Sequence, residues 1–419
     1  MSKEIPGIYN WSTHEGPTTP VRLPRPKVDI DDETLRDGLQ GVQLETHPTT
    51  EGKKIYLLNA AKFIEHADIG YAGSSDTSKQ EIAELIRIVI AKNLPITLSV
   101  AGRTSVLSQE DIKPIVDLSH QFDGFPLEAD IFWDSSKFRA EGHKWNRKEM
   151  LEQIGRDIVF LKRHSLPVMF VPERATDTPP EELWEALHMV ADLGVDRIGI
   201  ADTTGVADED AIRNILRWSF EEIGKYHPEI KWDFHGHRDG DNVTANCATA
   251  AKEGIDRVHA TIFSFGERPG NADLIIVSER LNRKGFRNDT NLSNVTHFAN
   301  LISDVFHYPI PPNTPVYGAN AFATASGIHA SVVNREQLGD REHRTYFPIP
   351  PSVVGGKPRV EVGPFSGASN VLFKLRELEI PETQEIVAAV LEAAKKGRGL
   401  LSNSTIKGIA QGIIQNGSK

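Results

Sequence analysis

The chain is predicted to be an α/β protein, a (β/α)8 TIM barrel followed by a mainly helical C-terminal accessory region. Three observations predict it. Short apolar runs alternate with helical periods of about 14 to 20 residues; eight such runs follow one another; and 419 residues suit a barrel of roughly 250 residues with an appendage better than one ordinary domain. The runs are "KVDIDDE", "ADIGYAG", "PITLSVAG", "PLEADIFW", "PVMFVPE", "DRIGIAD", "IKWDFHGH" and "RVHATIFSFG". Strands separated by helices must run parallel, and eight is the number that closes a barrel. An open doubly wound sheet is the alternative.

Taken in order, residues 1–27 form a Pro-rich arm that cannot be a regular helix or a central strand. The barrel is placed at 28–287. Its helices are read from stripes such as Met150, Leu151, Ile154, Ile158 and Leu161 in "RKEMLEQIGRDIVFLKRHS", which share one face. "ADLIIVSERLNRKG" is the last barrel helix. Residues 288–419 are a linker and helical accessory subdomains, closing on a stripe of Ile406, Ile409, Ile413 and Ile414 with no further strand, hence no C-terminal regulatory domain within these residues.

Composition excludes several classes of function. Acidic residues (58) outnumber basic ones (47) for a net charge of −11, and no basic run follows a phosphate backbone, so nucleic acid is not an expected partner. Cys247 is the single cysteine, which rules out an intrachain disulfide and suits a reducing compartment. No stretch of about 18 apolar residues is present, and "MSKEIPGIYNWSTHEGPTTP" lacks the pattern of a signal peptide. A cytoplasmic protein with no membrane partner is expected.

In a barrel of this kind, reactive groups sit where strands end and the βα loops converge. Polar residues fall at those points: Arg36 and Asp37 after the first run, Glu173 after the fifth, Asp202 and Thr203 after the sixth, His235 and His237 at the end of the seventh, Asn271 after the eighth. Strand residues two apart point the same way, so His235 and His237 face one point. Two imidazoles with the Asp37 carboxylate and the Asn271 amide make a mixed N/O set for a divalent metal. Singly, each has an ordinary reading: a salt bridge for Arg36 and Asp37, a solvated loop carboxylate for Glu173, a helix cap for Thr203, a polar strand end for the histidines. Their shared rim is what those readings leave unexplained.

"DETLRDGLQ", "ADTTG", "HGHRDGDN", "FGERPGN" and "NAFATASGIHASVVNRE" together resemble the DRE-TIM metallolyase family, in particular its Claisen-condensing branch of 2-isopropylmalate, homocitrate and citramalate synthases. The resemblance implies metal-dependent condensation of acetyl-CoA with a 2-oxo acid and hydrolysis of the thioester. It implies one divalent ion (Zn, Mn or Mg) on Asp37, His235 and His237, with Asn271 in or beside that shell. Arg36 matches the arginine facing the nascent alkoxide, Thr203 the threonine that meets the 2-oxo acid's carboxylate, and Glu173 the acid beside the acetyl group. His329 matches a histidine that the family often supplies from the neighbouring subunit, so a homodimer is implied, and Tyr346 falls where an active-site tyrosine stands. His329 assisted by Glu173 is the candidate base. Val171 matches a side-chain pocket residue, and its apolar character favours 2-oxoisovalerate, a step of leucine biosynthesis, over pyruvate and 2-oxoglutarate.

The chain also departs from the family pattern. Phe138 and Arg139 stand where many isopropylmalate synthases have a histidine, and Asp68 stands where the second strand usually carries a glutamate. "RDGLQ" is closer to 3-hydroxy-3-methylglutaryl-CoA lyase, which makes a retro-Claisen lyase the second reading. A non-catalytic metal-binding barrel is the third.

Overall fold

The computed structural model describes residues 8–104, 110–134, 136–339 and 345–417. Two compact units divide the chain: Met1–Thr290 with Asp304–Tyr308, and Asn291–Ser303 with Pro309–Lys419.

The first unit is a closed barrel of eight parallel strands in chain order. They are β1 (Asp29–Asp32), β2 (His66–Tyr71), β3 (Thr97–Arg103), β4 (Leu127–Trp133), β5 (Val168–Pro172), β6 (Arg197–Asp202), β7 (Lys231–Gly236) and β8 (Arg257–Ala260). β8 closes on β1 with Asp29 opposite Arg257 and Asp32 opposite Ala260. Six of the runs read as strands contain one of them whole, while β2 begins one residue before its run and β3 ends one residue after its own.

Around it lie α1 (Thr50–Ala60), α2 (Asp76–Lys92), α3 (Lys113–Gln121), α4 (Lys137–His143), α5 (Arg147–Arg163), α6 (Pro180–Asp192), α7 (Glu209–Ser219), α8 (Val243–Lys252) and α9 (Leu274–Arg283). In α5 the stripe Met150, Leu151, Ile154, Ile158, Leu161 is buried, as an amphipathic period requires when one face covers a sheet. Asn146 caps it by accepting from the Lys148 and Glu149 N–H groups, satisfying donors with no partner inside the helix.

The lower barrel is charged, where layers of branched apolar residues are usual. Arg257 bonds Glu128 at 2.8 Å and Asp31 at 3.0 Å and also reaches Asp233. Arg197 bonds Asp233 at 2.6 Å. His259 lies between Glu33 (2.7 Å) and Asp233 (3.1 Å). Buried charges persist only when paired, and every cation here has at least two carboxylates.

The Pro-rich arm is fastened to the barrel. Trp11, 1 % exposed, donates its indole N–H to the Thr178 carbonyl at 3.0 Å and meets the Trp218 ring edge-on at 5.2 Å. The Tyr9 N–H bonds the Asp177 carbonyl at 2.8 Å.

The second unit takes in α10 (Val295–Phe306) as far as Ser303 and continues through α11 (Gly327–Leu338), α12 (Ala368–Glu377), α13 (Gln384–Lys396) and α14 (Asn403–Gly417), with a small parallel pair, β9 (Ala323–Thr324) and β10 (Arg359–Val360). Its core joins Val371 and Leu375 of α12 to Ile386 and Val390 of α13 and Ile406 and Ala410 of α14. Ile409 and Ile413 pack on that core; Ile414, read as part of the same stripe, is 46 % exposed, because consecutive positions sit 100° apart and only one of the pair can face inward. Among the described residues, no helix is long and apolar enough to cross a membrane.

Candidate active site

After β1 the chain turns at once: the Gly38 N–H returns to the Glu33 carbonyl at 3.0 Å, and Thr34 Oγ1 accepts from the Ile262 N–H of the loop after β8 at 2.8 Å. That turn lifts Arg36 and Asp37 to the C-terminal mouth. Arg36 is held by Asp68 (Nε to Oδ2, 3.1 Å), by Glu33, and by Asp37 at 3.6 Å. Burial works against its charge, but Glu33, Asp37, Asp68 and Asp130 outweigh it and keep the guanidinium protonated.

Asp37, 4 % exposed, presents Oδ2 to His235 Nε2 at 3.6 Å and His237 Nε2 at 3.8 Å, and the two Nε2 atoms lie 3.4 Å apart. His235 is the last residue but one of β7, while His237 lies just past its end, paired with Asn271 in an isolated antiparallel bridge. Burial depresses both imidazoles, His235 to about 3, so both are neutral with nitrogen lone pairs available. Burial opposes ionisation of Asp37 too, yet the Arg36 guanidinium holds it below the ordinary carboxylate value.

One carboxylate and two neutral imidazoles, with donor atoms within 4.8 Å of one another, fit a divalent cation. Orphaned atoms agree with this. Among the described residues, His237 Nδ1 and Asn271 Oδ1 are buried without a hydrogen-bond partner. Asn271 reaches the cluster through its amide NH2, which donates to Asp37 Oδ2.

The set opens on a cavity of about 150 Å³ lined also by Arg36, Phe132, Val171, Glu173, Thr203 and Arg268. Val171, Ala201 and Phe132 form its apolar side and pack together with Met169. Thr203 Oγ1 accepts the Arg174 N–H at 2.8 Å, leaving its own proton to donate. Glu173 is pushed up by burial and held back chiefly by Arg139, whose Nη1 lies 3.1 Å from Oε2.

Of the residues singled out in the sequence, Arg36, Asp37, Val171, Glu173, Thr203, His235, His237 and Asn271 thus meet at one mouth. His329 and Tyr346 belong to the second unit, where their rings stack at 4.5 Å and 25°. Asp202, at the end of β6, is buried and accepts from Thr176 at 2.9 Å. The sequence reading passed over Arg268, which bonds Asp239 at 2.8 Å and the Thr203 carbonyl, and the lining groups Glu33, Asp130 and His259. A signal existed: Asp31 and Glu33, Asp233 and His235, Arg257 and His259 are charged or polar at spacing two on short strands, which aims them into the barrel.

A closed barrel whose mouth gathers a carboxylate, two neutral imidazoles and a buried arginine defines a class, the (β/α)8 metal-site proteins. The sequence model of the HMGL-like family matches residues 27–302, and the chain belongs to this HMGL-like, DRE-TIM family. It is 29 % identical over 376 residues to a homocitrate synthase of Sulfolobus acidocaldarius, covering 88 % of this chain and 75 % of that one. With a 2-isopropylmalate synthase of Methanocaldococcus jannaschii it shares 29 % over 400 residues, 93 % of this chain and 72 % of the relative. In fold it resembles an HMG-CoA lyase of Bacillus subtilis, with a TM-score of 0.56 and 18 % identity over 70 % of this chain and 97 % of that one.

Proposed function

We propose that this chain condenses acetyl-CoA with a 2-oxo acid and hydrolyses the resulting thioester, using one divalent metal ion. The observation that carries this reading is the convergence of Asp37, His235 and His237 with Arg36, Val171 and Glu173 on one small cavity. The relatives named for homocitrate and 2-isopropylmalate synthesis support a condensing activity.

Asp37, His235 and His237 would hold the ion, Zn, Mn or Mg, with Asn271 orienting Asp37. When bound, such an ion polarises a carbonyl as a Lewis acid. Arg36, fixed on the same cavity, faces the keto oxygen and stabilises the charge that develops there. Thr203 donates its proton to the substrate carboxylate. The methyl group of acetyl-CoA is a weak carbon acid, so a base must stand beside it; His329 assisted by Glu173 fills that role, worth about 10² to 10⁴ in rate, and Tyr346, stacked on His329, orients it. We assign His329 and Tyr346 to the partner's site in a homodimer.

Among 2-oxo acids we favour 2-oxoisovalerate, giving 2-isopropylmalate, a step of leucine biosynthesis. The apolar side formed by Val171, Ala201 and Phe132 suits a branched aliphatic chain. A second carboxylate would need a cation, and both Arg36 and Arg268 already have carboxylate partners.

The test mixes protein, metal, acetyl-CoA and each of 2-oxoisovalerate, pyruvate and 2-oxoglutarate, and follows free thiol. The highest kcat/KM is expected with 2-oxoisovalerate. A missing methyl costs about 1 to 3 kcal/mol of discrimination, so homocitrate or citramalate synthesis would show as a reversed order. No thiol from any acid, with cleavage of 3-hydroxy-3-methylglutaryl-CoA, would make the chain a lyase; neither reaction would leave a metal-binding barrel without catalysis.

A further inference from the structure

Two consecutive residues in the first turn of α4 meet the two residues that follow β5. Arg139 places Nη1 3.1 Å from Glu173 Oε2. Phe138 lies beneath the Arg174 guanidinium, 5.1 Å from its ring centre, a cation–π distance. Neither partner is loose. Ser136 caps the turn by accepting the Arg139 N–H at 3.3 Å and itself donates to buried Asp134, and the Lys137 N–H bonds Glu182 at 2.7 Å. On the other side, Arg174 has a left-handed backbone (φ 58°), its N–H bonds Thr203 at 2.8 Å, and its guanidinium bonds Asp177 at 3.0 Å.

We infer that Arg139 is a positioning residue that fixes the Glu173 carboxylate in the cavity, with Phe138 steadying the backbone beside it. The inference rests on the proposed role of Glu173 beside the acetyl group. A glutamate has three rotatable bonds, and a base helper is effective only when its oxygen keeps hydrogen-bond distance; one planar, permanently charged partner restricts it. The charged groups facing Glu173 are Arg139, Asp134, Arg36 and Arg103. Burial and Asp134 favour the neutral acid, and Arg139 is the leading opponent. Asp134 also lies 3.9 Å from Arg139, so the guanidinium separates two carboxylates that would otherwise repel.

The experiment compares wild type, Arg139→Gln and Arg139→Lys, with Glu173→Gln as reference. The first readout is independent of turnover: the infrared carboxyl band absent from Glu173→Gln is titrated in each protein. In Arg139→Gln it is expected to titrate at higher pH than in wild type, with Arg139→Lys close to wild type. The second is the pH profile with acetyl-CoA and the best 2-oxo acid. There the acidic limb of kcat should move to higher pH in Arg139→Gln and kcat at neutral pH should fall about 10- to 100-fold, while KM for the 2-oxo acid stays within about twofold, because that acid is bound by other groups. A carboxyl band and acidic limb unmoved in a folded Arg139→Gln protein would overturn the inference, as would an equal loss of kcat in Arg139→Lys and Arg139→Gln. If wild type releases no thiol with any 2-oxo acid, the condensing reading falls, and the infrared titration still decides the contact.

Discussion

His235 and His237 face one carboxylate because a glycine separates them at a strand end, and burial leaves both imidazoles neutral. Removing a ligand should therefore remove metal affinity and spare the fold. His235→Ala and Asp37→Ala are each expected to abolish metal-dependent thiol release, with a melting midpoint within a few degrees of the metal-free wild type; a large drop in that midpoint would make the cluster structural. Arg36→Lys keeps the charge but loses the planar fork that meets Glu33 and Asp68 together. Its kcat should fall about 10² to 10³ with a smaller rise in KM, and a wild-type kcat would reduce Arg36 to a structural ion pair. Asp37 and the histidines were legible in the sequence because their chemistry is local to short motifs. Arg139 was visible only as a departure from a pattern. Its meaning depends on Glu173, 34 residues away in sequence, and no local spacing reports that contact.

At the scale of elements, β1 to β8 were legible because buried parallel strands leave short dense runs between amphipathic helices. The inside of the barrel was passed over, although Asp233 stands two residues from His235 and Arg257 two from His259, the spacing that aims both inward. The arm shows the converse. Proline content pointed away from a regular helix, and the described residues 8–27 hold a three-residue 3-10 turn at Trp11–Thr13, but it gave no hint that Trp11 is buried against Trp218 and Thr178. Truncating a fully buried tryptophan costs about 3 to 5 kcal/mol, so Trp11→Ala should lower the urea midpoint accordingly. Because Tyr9 and Trp11 bond the segment after β5, hydrogen exchange should quicken at residues 175–178. A loss under about 1 kcal/mol with unchanged exchange would show an arm that only rests on the surface.

At the scale of the molecule, two expectations can be measured directly. If His329 serves a partner's site, light scattering should report about twice the 46.4 kDa chain mass, and a fully active monomer would remove that assignment. The second concerns pH. Burial alone would lower His259, but Glu33 and Asp233 raise it to about 10. A histidine in the unfolded chain titrates near 6.5, so the folded form retains a proton that the unfolded form loses. The stabilisation from this group is complete below about pH 6.5 and declines as pH climbs to about 10. His259→Gln should flatten that decline in urea titrations, and an unchanged slope would place the pH dependence elsewhere.

The paired charges beneath the mouth also limit how such a barrel can change. Arg257 answers to Asp31, Glu128 and Asp233, and Asp233 answers in turn to Arg197 and His259. Losing one member strands its partners in a low-dielectric interior at about 3 to 5 kcal/mol, whereas replacing a whole set with apolar residues can be neutral or better. Successive single substitutions must therefore cross a deep valley before reaching an oily floor. Lineages carrying this arrangement would keep it intact or abandon it in concerted blocks, and a laboratory library that varies these positions jointly should recover folded barrels that one-at-a-time scanning never finds.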